Sequence, residues 1–292
     1  MSIRQENFEF IRDLVKRAAG IVIDQGKEYL VDSRLSTLAH QRGFKSTDDY
    51  LVHVRRHPLE RAVDPIVEAL TINETYFFRD FFPFEALRTT VLPKLIELNR
   101  DRRMLNIWSA ACATGQEPYS LAMLLREHFP QLNSWRVEVL ATDICSTVLG
   151  RAQAAEYTQF EVNRGLPAAY LIKYFDKRGE NWVLKEELRR TVRFQKINLV
   201  HPWTHGEMDL IFVRNVLIYF DTDTKRQILG EMSRRLRSRG HLVLGSTETA
   251  LEMNGHFDML TVGKSTFYQN KPATLAVAVP LRPKPVHDLS FR

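Results

Sequence analysis

Apolar side chains recur every three or four positions through the first seventy residues: Phe8, Ile11, Val15 and Ala18, then Leu35 with Leu38, then Ala62, Val63, Ile66, Val67 and Leu70. This is the period of amphipathic helices, punctuated at Gly20, Gly26, Gly43 and Pro58. Each stripe needs a neighbour to pack on, so residues 1–70 read as a small all-α domain. From residue 71 the texture changes, with five aromatics in the seven positions from Tyr76 to Phe82 beside polar side chains, dense for a mere linker. After a helix over Phe84–Asn99 the period alternates between short β runs and helices. Strands are expected at Leu105–Ser109, Val137–Ala141, Leu210–Val213 and His241–Gly245, and helices at Pro118–His128, Ser146–Ala155 and Asp223–Arg237. Alternating β and α elements predict an α/β domain with a largely parallel sheet covered by helices on both sides. Between Tyr157 and Asn198 the alternation breaks; Trp182-Val183-Leu184 and Val192-Arg193-Phe194 read as strands of an inserted antiparallel piece. Past Lys271 the prolines at 272, 280, 283 and 285 predict a flexible tail.

Composition narrows the classes. With 44% hydrophobic and 26% charged residues the chain is an ordinary globular one, and its 292 residues fit two units. No apolar run approaches the roughly 18 residues of a bilayer crossing, and the N-terminus lacks an apolar leader, so a cytoplasmic protein outside the membrane is expected. Cys112 and Cys145 are spaced unlike any zinc motif, so no metal is expected. The net charge of +6 is local. Residues 1–70 carry eleven basic and eleven acidic side chains, whereas residues 225–239 hold six basic ones against Glu231 alone. That cluster reads as the solvated face and C-terminal end of one helix, and no RNA- or DNA-binding motif accompanies it.

Candidate chemistry begins at Asn106-Ile107-Trp108-Ser109-Ala110-Ala111-Cys112-Ala113-Thr114-Gly115-Gln116-Glu117-Pro118, where an apolar strand runs into a turn of small side chains and then a helix. Open α/β sheets bind nucleotides at such turns. Neither the dinucleotide spacing G-x-G-x-x-G nor a phosphate loop is present, and Glu117 at the helix start would repel a pyrophosphate but suit an ammonium. Asp143, closing Ala141-Thr142-Asp143 at the next strand's end, is placed to accept both hydroxyls of a ribose, with a helix N-cap as the equal alternative. An acid for an ammonium and an acid for a ribose, without a phosphate cradle, describe S-adenosylmethionine rather than NAD or ATP.

These segments, with Asn73-Glu74-Thr75-Tyr76-Phe77-Phe78-Arg79-Asp80 and Arg214-Asn215-Val216-Leu217-Ile218-Tyr219-Phe220-Asp221, resemble in matching order the CheR family of chemotaxis receptor glutamate O-methyltransferases. The resemblance runs from the N-terminal helices to about residue 270. It implies a helical domain (1–70), an aromatic-rich segment closing on the cofactor (71–90), a Rossmann-like methyltransferase domain (91–270) with a small inserted β-subdomain (157–197), and a tail (271–292). The implied reaction moves a methyl from S-adenosylmethionine to receptor glutamates, giving γ-glutamyl methyl esters and S-adenosylhomocysteine. The implied partner is the cytoplasmic helical domain of a methyl-accepting chemoreceptor, met by a monomer. Carried over residue by residue, Glu117 resembles the ammonium ligand, Asp143 the ribose ligand, and Asn198 with Leu199 the adenine-side contact. Asn73, Thr75 and Arg79 resemble the closing segment, Asn215 and Val216 complete the pocket, and Arg79 and Tyr219 sit beside the methyl as the catalytic pair.

Three departures modify that picture. The family's two acids in the Gly-Glu-Glu-Pro turn are Gln116 and Glu117 here, and the acid often found two residues after the ribose Asp is Cys145, read with Cys112 as a small buried filler. Members that dock a receptor's C-terminal pentapeptide tend to have a Gly-rich β-loop. Residues 175–182 are short and hold one glycine, so tethering is not expected. Arg34, His40, Arg42 and Lys45 are candidates for an acidic receptor helix, an ordinary solvated face being the alternative. Two other functions compete: a cofactor-binding adaptor without turnover, and an RNA methyltransferase.

Overall fold

In the computed structural model, residues 3–57, 60–251 and 255–271 are described. Pro58, the Ala62 side chain and the proline-containing tail from residue 272 lie outside the described residues. The N-terminal stripes form α1 (Gln5–Ala19), α2 (Glu28–Gln41), α3 (Thr47–Arg56) and α4 (Glu60–Leu70). Phe8, Ile11, Val15, Leu35 and Ile66 meet in one buried cluster, which is why these short helices hold.

The single helix expected over Phe84–Asn99 is α5 (Phe82–Ala86) and α6 (Leu92–Leu98), joined by a π turn at Leu87–Val91. Pro93 in the first turn of α6 supplies no N–H to the preceding ladder, and the wider turn accommodates it.

From β1 (Met104–Ala110) the chain alternates through α7 (Gln116–His128), β2 (Arg136–Asp143) and α8 (Ser146–Ala154). The insertion follows as β3 (Glu156–Thr158), α9 (Gln159–Asn163), α10 (Ala168–Tyr174), β4 (Phe175–Arg178), β5 (Asn181–Leu184) and α11 (Glu186–Arg189). The main domain resumes with β6 (Val192–Lys196), β7 (Met208–Val213), α12 (Thr222–Arg235), β8 (Leu236–Leu244), β9 (Phe257–Val262) and β10 (Ser265–Asn270).

Seven strands form the main sheet in the order β6-β2-β1-β7-β8-β10-β9, with β6, β2, β1, β7 and β8 parallel and β10 and β9 antiparallel. The insertion builds a separate antiparallel sheet, β3-β5-β4. One sequence expectation is corrected here: Val192-Arg193-Phe194 belongs to β6, which pairs parallel with β2 from Val139↔Val192 to Asp143↔Lys196, and not to the antiparallel insertion. A short strand among charged residues does not name its partner; the pairing follows from the long-range return of the chain to the sheet edge.

The strands' period of two divides the core. Leu105, Ile107, Val139, Leu210 and Phe212 pack on one side with Leu87, Leu92 and Leu121, while Trp108, Leu140, Ile211 and Val213 pack on the other with Ile228 and Met232 of α12. Parallel strands covered on both faces are apolar throughout. Asp209, buried inside β7, is tolerated because it accepts from Asn99 Nδ2 (3.0 Å), Arg102 (3.0 Å) and the Asn106 N–H (2.8 Å). The basic run of residues 225–239 is engaged locally: Arg234 and Arg235 pair with Glu231, and Arg237 pairs with Glu207.

Two imidazoles sit in this core away from the cavity. Burial, the larger cause, pushes His205 and His241 each down to about 4 from 6.5. The unfolded chain therefore binds more protons between these values, so their contribution to stability is complete above about pH 6.5 and is lost as pH falls towards 4. Urea midpoints are expected to fall over that window, and a His205→Gln/His241→Gln variant to show a flatter profile. Equal slopes for variant and wild type would remove both residues from the acid response.

Candidate active site

The turn after β1 is shaped by backbone geometry. Ala111, Ala113 and Gly115 all have left-handed φ (55°, 47° and 92°), and a Cβ at Gly115 would lie 2.9 Å from the Ala152 Cβ of α8. Only glycine permits both that φ and that approach. Tyr157 donates its hydroxyl to the Thr114 carbonyl at 2.9 Å, and Thr114 donates to Gln116 Oε1 at 2.7 Å. A neutral amide suits position 116, which is 2% exposed and needs no counter-charge.

At the end of β2, Asp143 accepts the Ala113 N–H at Oδ2 and the Cys145 N–H at Oδ1, both at 2.9 Å. The carboxylate is thereby aimed into the cavity, and it does not cap α8. The first N–H of α8 instead goes to Glu68 of α4: Ser146 N–H donates to Glu68 Oε1 at 2.8 Å and the Thr147 hydroxyl to Oε2 at 3.2 Å. Burial raises the Asp143 carboxyl above its ordinary value despite those two donors. Each oxygen keeps a lone pair for a further donor.

Glu117, at the start of α7, is already partnered. Ser109 donates to its Oε1 at 2.9 Å, and Arg214, immediately after β7, donates to its Oε2 at 3.0 Å. The same guanidinium reaches Asp80 Oδ2 at 2.6 Å and the Arg79 carbonyl at 3.1 Å, with a side chain 1% exposed. Two carboxylates around one guanidinium leave an excess negative charge beside the cavity.

The cavity itself, about 210 Å³, gathers every site residue expected from the sequence. Asn73, Thr75 and Arg79 line it from the segment before α5, Asn198 and Leu199 from the loop after β6, and Asn215, Val216 and Tyr219 from the loop after β7. Arg79 donates to the Glu74 carbonyl at 3.0 Å and lies over the Tyr76 ring. The Asn198 amide is committed to the Ala18 carbonyl at 2.7 Å, and its oxygen accepts from Val200 N–H at 3.2 Å. Burial raises the Tyr219 hydroxyl above its usual value of 10. Asn215, at φ 58°, has a buried Oδ1 with no partner. A spare acceptor there, the Asp143 carboxylate and the negative Asp80–Arg214–Glu117 group fit a ligand with hydroxyls, N–H donors and an ammonium, as S-adenosylmethionine has.

Several residues that build the site carry no mark in the sequence reading. Arg214 opens a motif in the sequence with no signal of its own, yet an arginine directly after an apolar strand that is buried needs anions around it. Asp80 is its direct partner, and Ser109 acts through Glu117. The helical domain supplies a wall through Ile21, Lys27 and Arg34. Arg34 faces inward and donates to the carbonyls of Leu70 (3.0 Å) and Thr71 (2.8 Å), whereas His40, Arg42 and Lys45 are exposed. Cys112 and Cys145 are both buried beside the site.

Residues 6–71 match the family described as CheR methyltransferase, all-alpha domain, and residues 73–266 the one described as CheR methyltransferase, SAM binding domain. The chain is similar to chemotaxis protein methyltransferase 1 of Pseudomonas aeruginosa, 39% identical over 279 residues that cover 93% of this chain and 100% of the relative. Chemotaxis protein methyltransferase Cher2 of Pseudomonas putida is 36% identical over 277 residues, covering 93% and 100%. Chemotaxis protein methyltransferase 2 of Vibrio cholerae is 33% identical over 270 residues, covering 91% and 93%.

Removing Arg214 leaves Glu117 buried beside Ser109 with no cation. Arg214→Met is expected to lower unfolding free energy by about 3–5 kcal/mol in denaturant titration, the range for breaking a buried ion pair from one side. A loss below about 1 kcal/mol, the level of an exposed pair, would show the network to be dispensable.

Proposed function

The chain belongs to the CheR methyltransferase family, and on that premise we propose that it transfers a methyl group from S-adenosylmethionine to glutamate side chains of a chemoreceptor in chemosensory adaptation. The observation that carries the reading is the meeting of Asp143, Glu117, Arg79 and Tyr219 in one cavity closed by both domains. When bound, the cofactor supplies an electrophilic methyl on a sulfonium, and S-adenosylhomocysteine is the other product.

Asp143 is assigned to the two ribose hydroxyls, and Glu117 to the ammonium, with Arg214 fixing its position. Asn73, Thr75, Asn198, Leu199, Asn215 and Val216 form the remaining wall. A receptor glutamate has an ordinary pKa near 4.3, so at neutral pH it arrives as the nucleophile and needs no base. Tyr219 suits that role division, because an ordinary tyrosine hydroxyl, with a pKa near 10, stays protonated at neutral pH and burial shifts it further in the same direction. Arg79 is assigned to docking the acceptor carboxylate by a charge-assisted pair. Alignment of oxygen, carbon and sulfur and exclusion of water then carry the rate, as carboxylate and sulfonium charges cancel along the reaction.

The partner is read as the cytoplasmic helical domain of the receptor, with this chain read as a cytoplasmic monomer. Among the described residues no helix is long and apolar enough to cross a membrane. Tethering is not part of the reading, since β4 and β5 are joined by the Gly179-Glu180 turn alone. The RNA alternative loses support because Arg234 and Arg235 of the basic cluster pair with Glu231 and Arg237 pairs with Glu207.

Labelled S-adenosylmethionine incubated with receptor-containing membranes is expected to give a labelled receptor that releases methanol in alkali. Cofactor binding without such label would indicate the adaptor function instead. Asp143→Ala is expected to weaken S-adenosylhomocysteine by tenfold or more in calorimetry, each charged hydrogen bond being worth about 1.5–3 kcal/mol; unchanged affinity removes Asp143 from the ribose. Arg79→Ala should slow methyl transfer far more than it weakens cofactor binding, and Tyr219→Phe should do less than Tyr219→Ala. If the phenylalanine variant is as inactive as the alanine one with binding intact, the hydroxyl takes part directly. A receptor C-terminal pentapeptide titrated into the protein should show no measurable binding, and a micromolar dissociation constant would restore a docking role to the insertion.

A further inference from the structure

Beyond the cavity wall, the turn after β8 holds a carboxylate whose every contact is a backbone N–H. Glu248 Oε2 accepts from Gly245 (2.7 Å) and Asn215 (2.8 Å), and Oε1 accepts from Val216 (2.9 Å) and Leu217 (2.8 Å). Three of these donors are consecutive residues of the loop that leads from β7 to Tyr219. That loop needs holding. Asn215 sits at φ 58°, which an asparagine tolerates but does not favour, and the next turn is a 3-10 segment over Leu217–Tyr219. Consecutive N–H groups pointing to one side form an anion nest, and the Glu248 carboxylate fills it.

We propose that Glu248 is a positioning residue for methyl transfer: its carboxylate fixes the Asn215–Leu217 backbone and thereby sets where Tyr219 meets the reacting methyl. The inference rests on the placement of Tyr219 given under Proposed function. Gly245 is the complement of the device. A Cβ there would stand 2.7 Å from Glu248 Oε2 and 2.9 Å from the Asn215 nitrogen, so only glycine lets the carboxylate close on the loop. Gln at 248 has the right size and the wrong chemistry, because its amide NH₂ would face two N–H donors where an oxygen now accepts.

Amide hydrogen exchange and single-turnover kinetics on the full chain test the proposal together. In Glu248→Gln, exchange at residues 215–217 is expected to accelerate while the global unfolding midpoint changes little. Transfer to receptor at saturating cofactor should slow by about tenfold or more, and by more than S-adenosylhomocysteine affinity falls, because Asn215 and Val216 wall the cofactor from this loop while Asp143 and Glu117 stand on other turns. In a Tyr219→Ala background the same substitution should cost less than about twofold, the non-additivity of residues acting through one another. Gly245→Ala should reproduce the pattern with the carboxylate retained, and replaces Glu248→Gln should that variant not fold. Unchanged exchange at 215–217, or additive losses in the double variant, would overturn the proposal. Absence of transfer by the wild-type protein would instead count against the methyltransferase reading, leaving exchange to decide the role of the cradle.

Discussion

A single buried guanidinium holds three separate stretches of the chain in register. Arg214 binds Asp80 from the segment ahead of α5, Glu117 from the first turn of α7, and the Arg79 carbonyl, while itself standing at the end of β7. Without its charge two carboxylates would face one another across this space with no cation between them. The backbone around it bends accordingly. Phe78, Asp80 and Phe81 all have positive φ, a cost that persists only where surrounding contacts over-determine it. Phe77 packs against Tyr157 and Phe175, and Phe78 N–H donates to Ser120 Oγ at 2.9 Å, so the strained stretch is fixed at its N-terminal end.

The cavity is a property of two domains rather than of the sheet alone. Val22 donates its N–H to the Tyr219 carbonyl at 2.8 Å, Ile21 bridges Phe220, Lys16 pairs with Asp221, and Lys196 pairs with Asp64. These contacts bring the segment after α1 against the loop bearing Tyr219. The sheet offers its strand ends and the helical domain covers them with Ile21, Lys27 and Arg34.

Much of this was legible beforehand, and the remainder was not for identifiable reasons. Periods of 3.6 and 2 located most of the elements because each has one face or two faces committed to the core. Glu117 and Asp143 stand out together, an acid for an ammonium and an acid for a ribose, although for Asp143 alone a helix N-cap was an equal alternative. The resemblance to a known family added Arg79, Tyr219, Asn198 and their neighbours, which local pattern alone would have left as core or turn residues. What escaped were partnerships across the fold: the parallel pairing of β6 with β2, the β9–β10 hairpin, the π turn before Pro93, and the joining of Arg214 to Asp80 across 134 positions of sequence. A side chain's period reports its burial and is silent on its partner. Glu248 escaped for a related reason, since a carboxylate spent on N–H groups looks in the sequence like one more surface acid.

The first turn of α8 has one consequence for modularity. Cys145 at its N-cap provides no side-chain acceptor, and the carboxylate that receives the Ser146 and Thr147 donors comes from α4, more than seventy residues earlier. Helices ordinarily bring their own caps, so a domain can be cut out with its helices whole. Here the helix that starts three residues after Asp143 is capped from outside its own domain. A fragment beginning at residue 71 would lose that cap and leave the Ser146 amide without its acceptor next to Asp143, so the two sequence-defined units share a helix cap at the cavity.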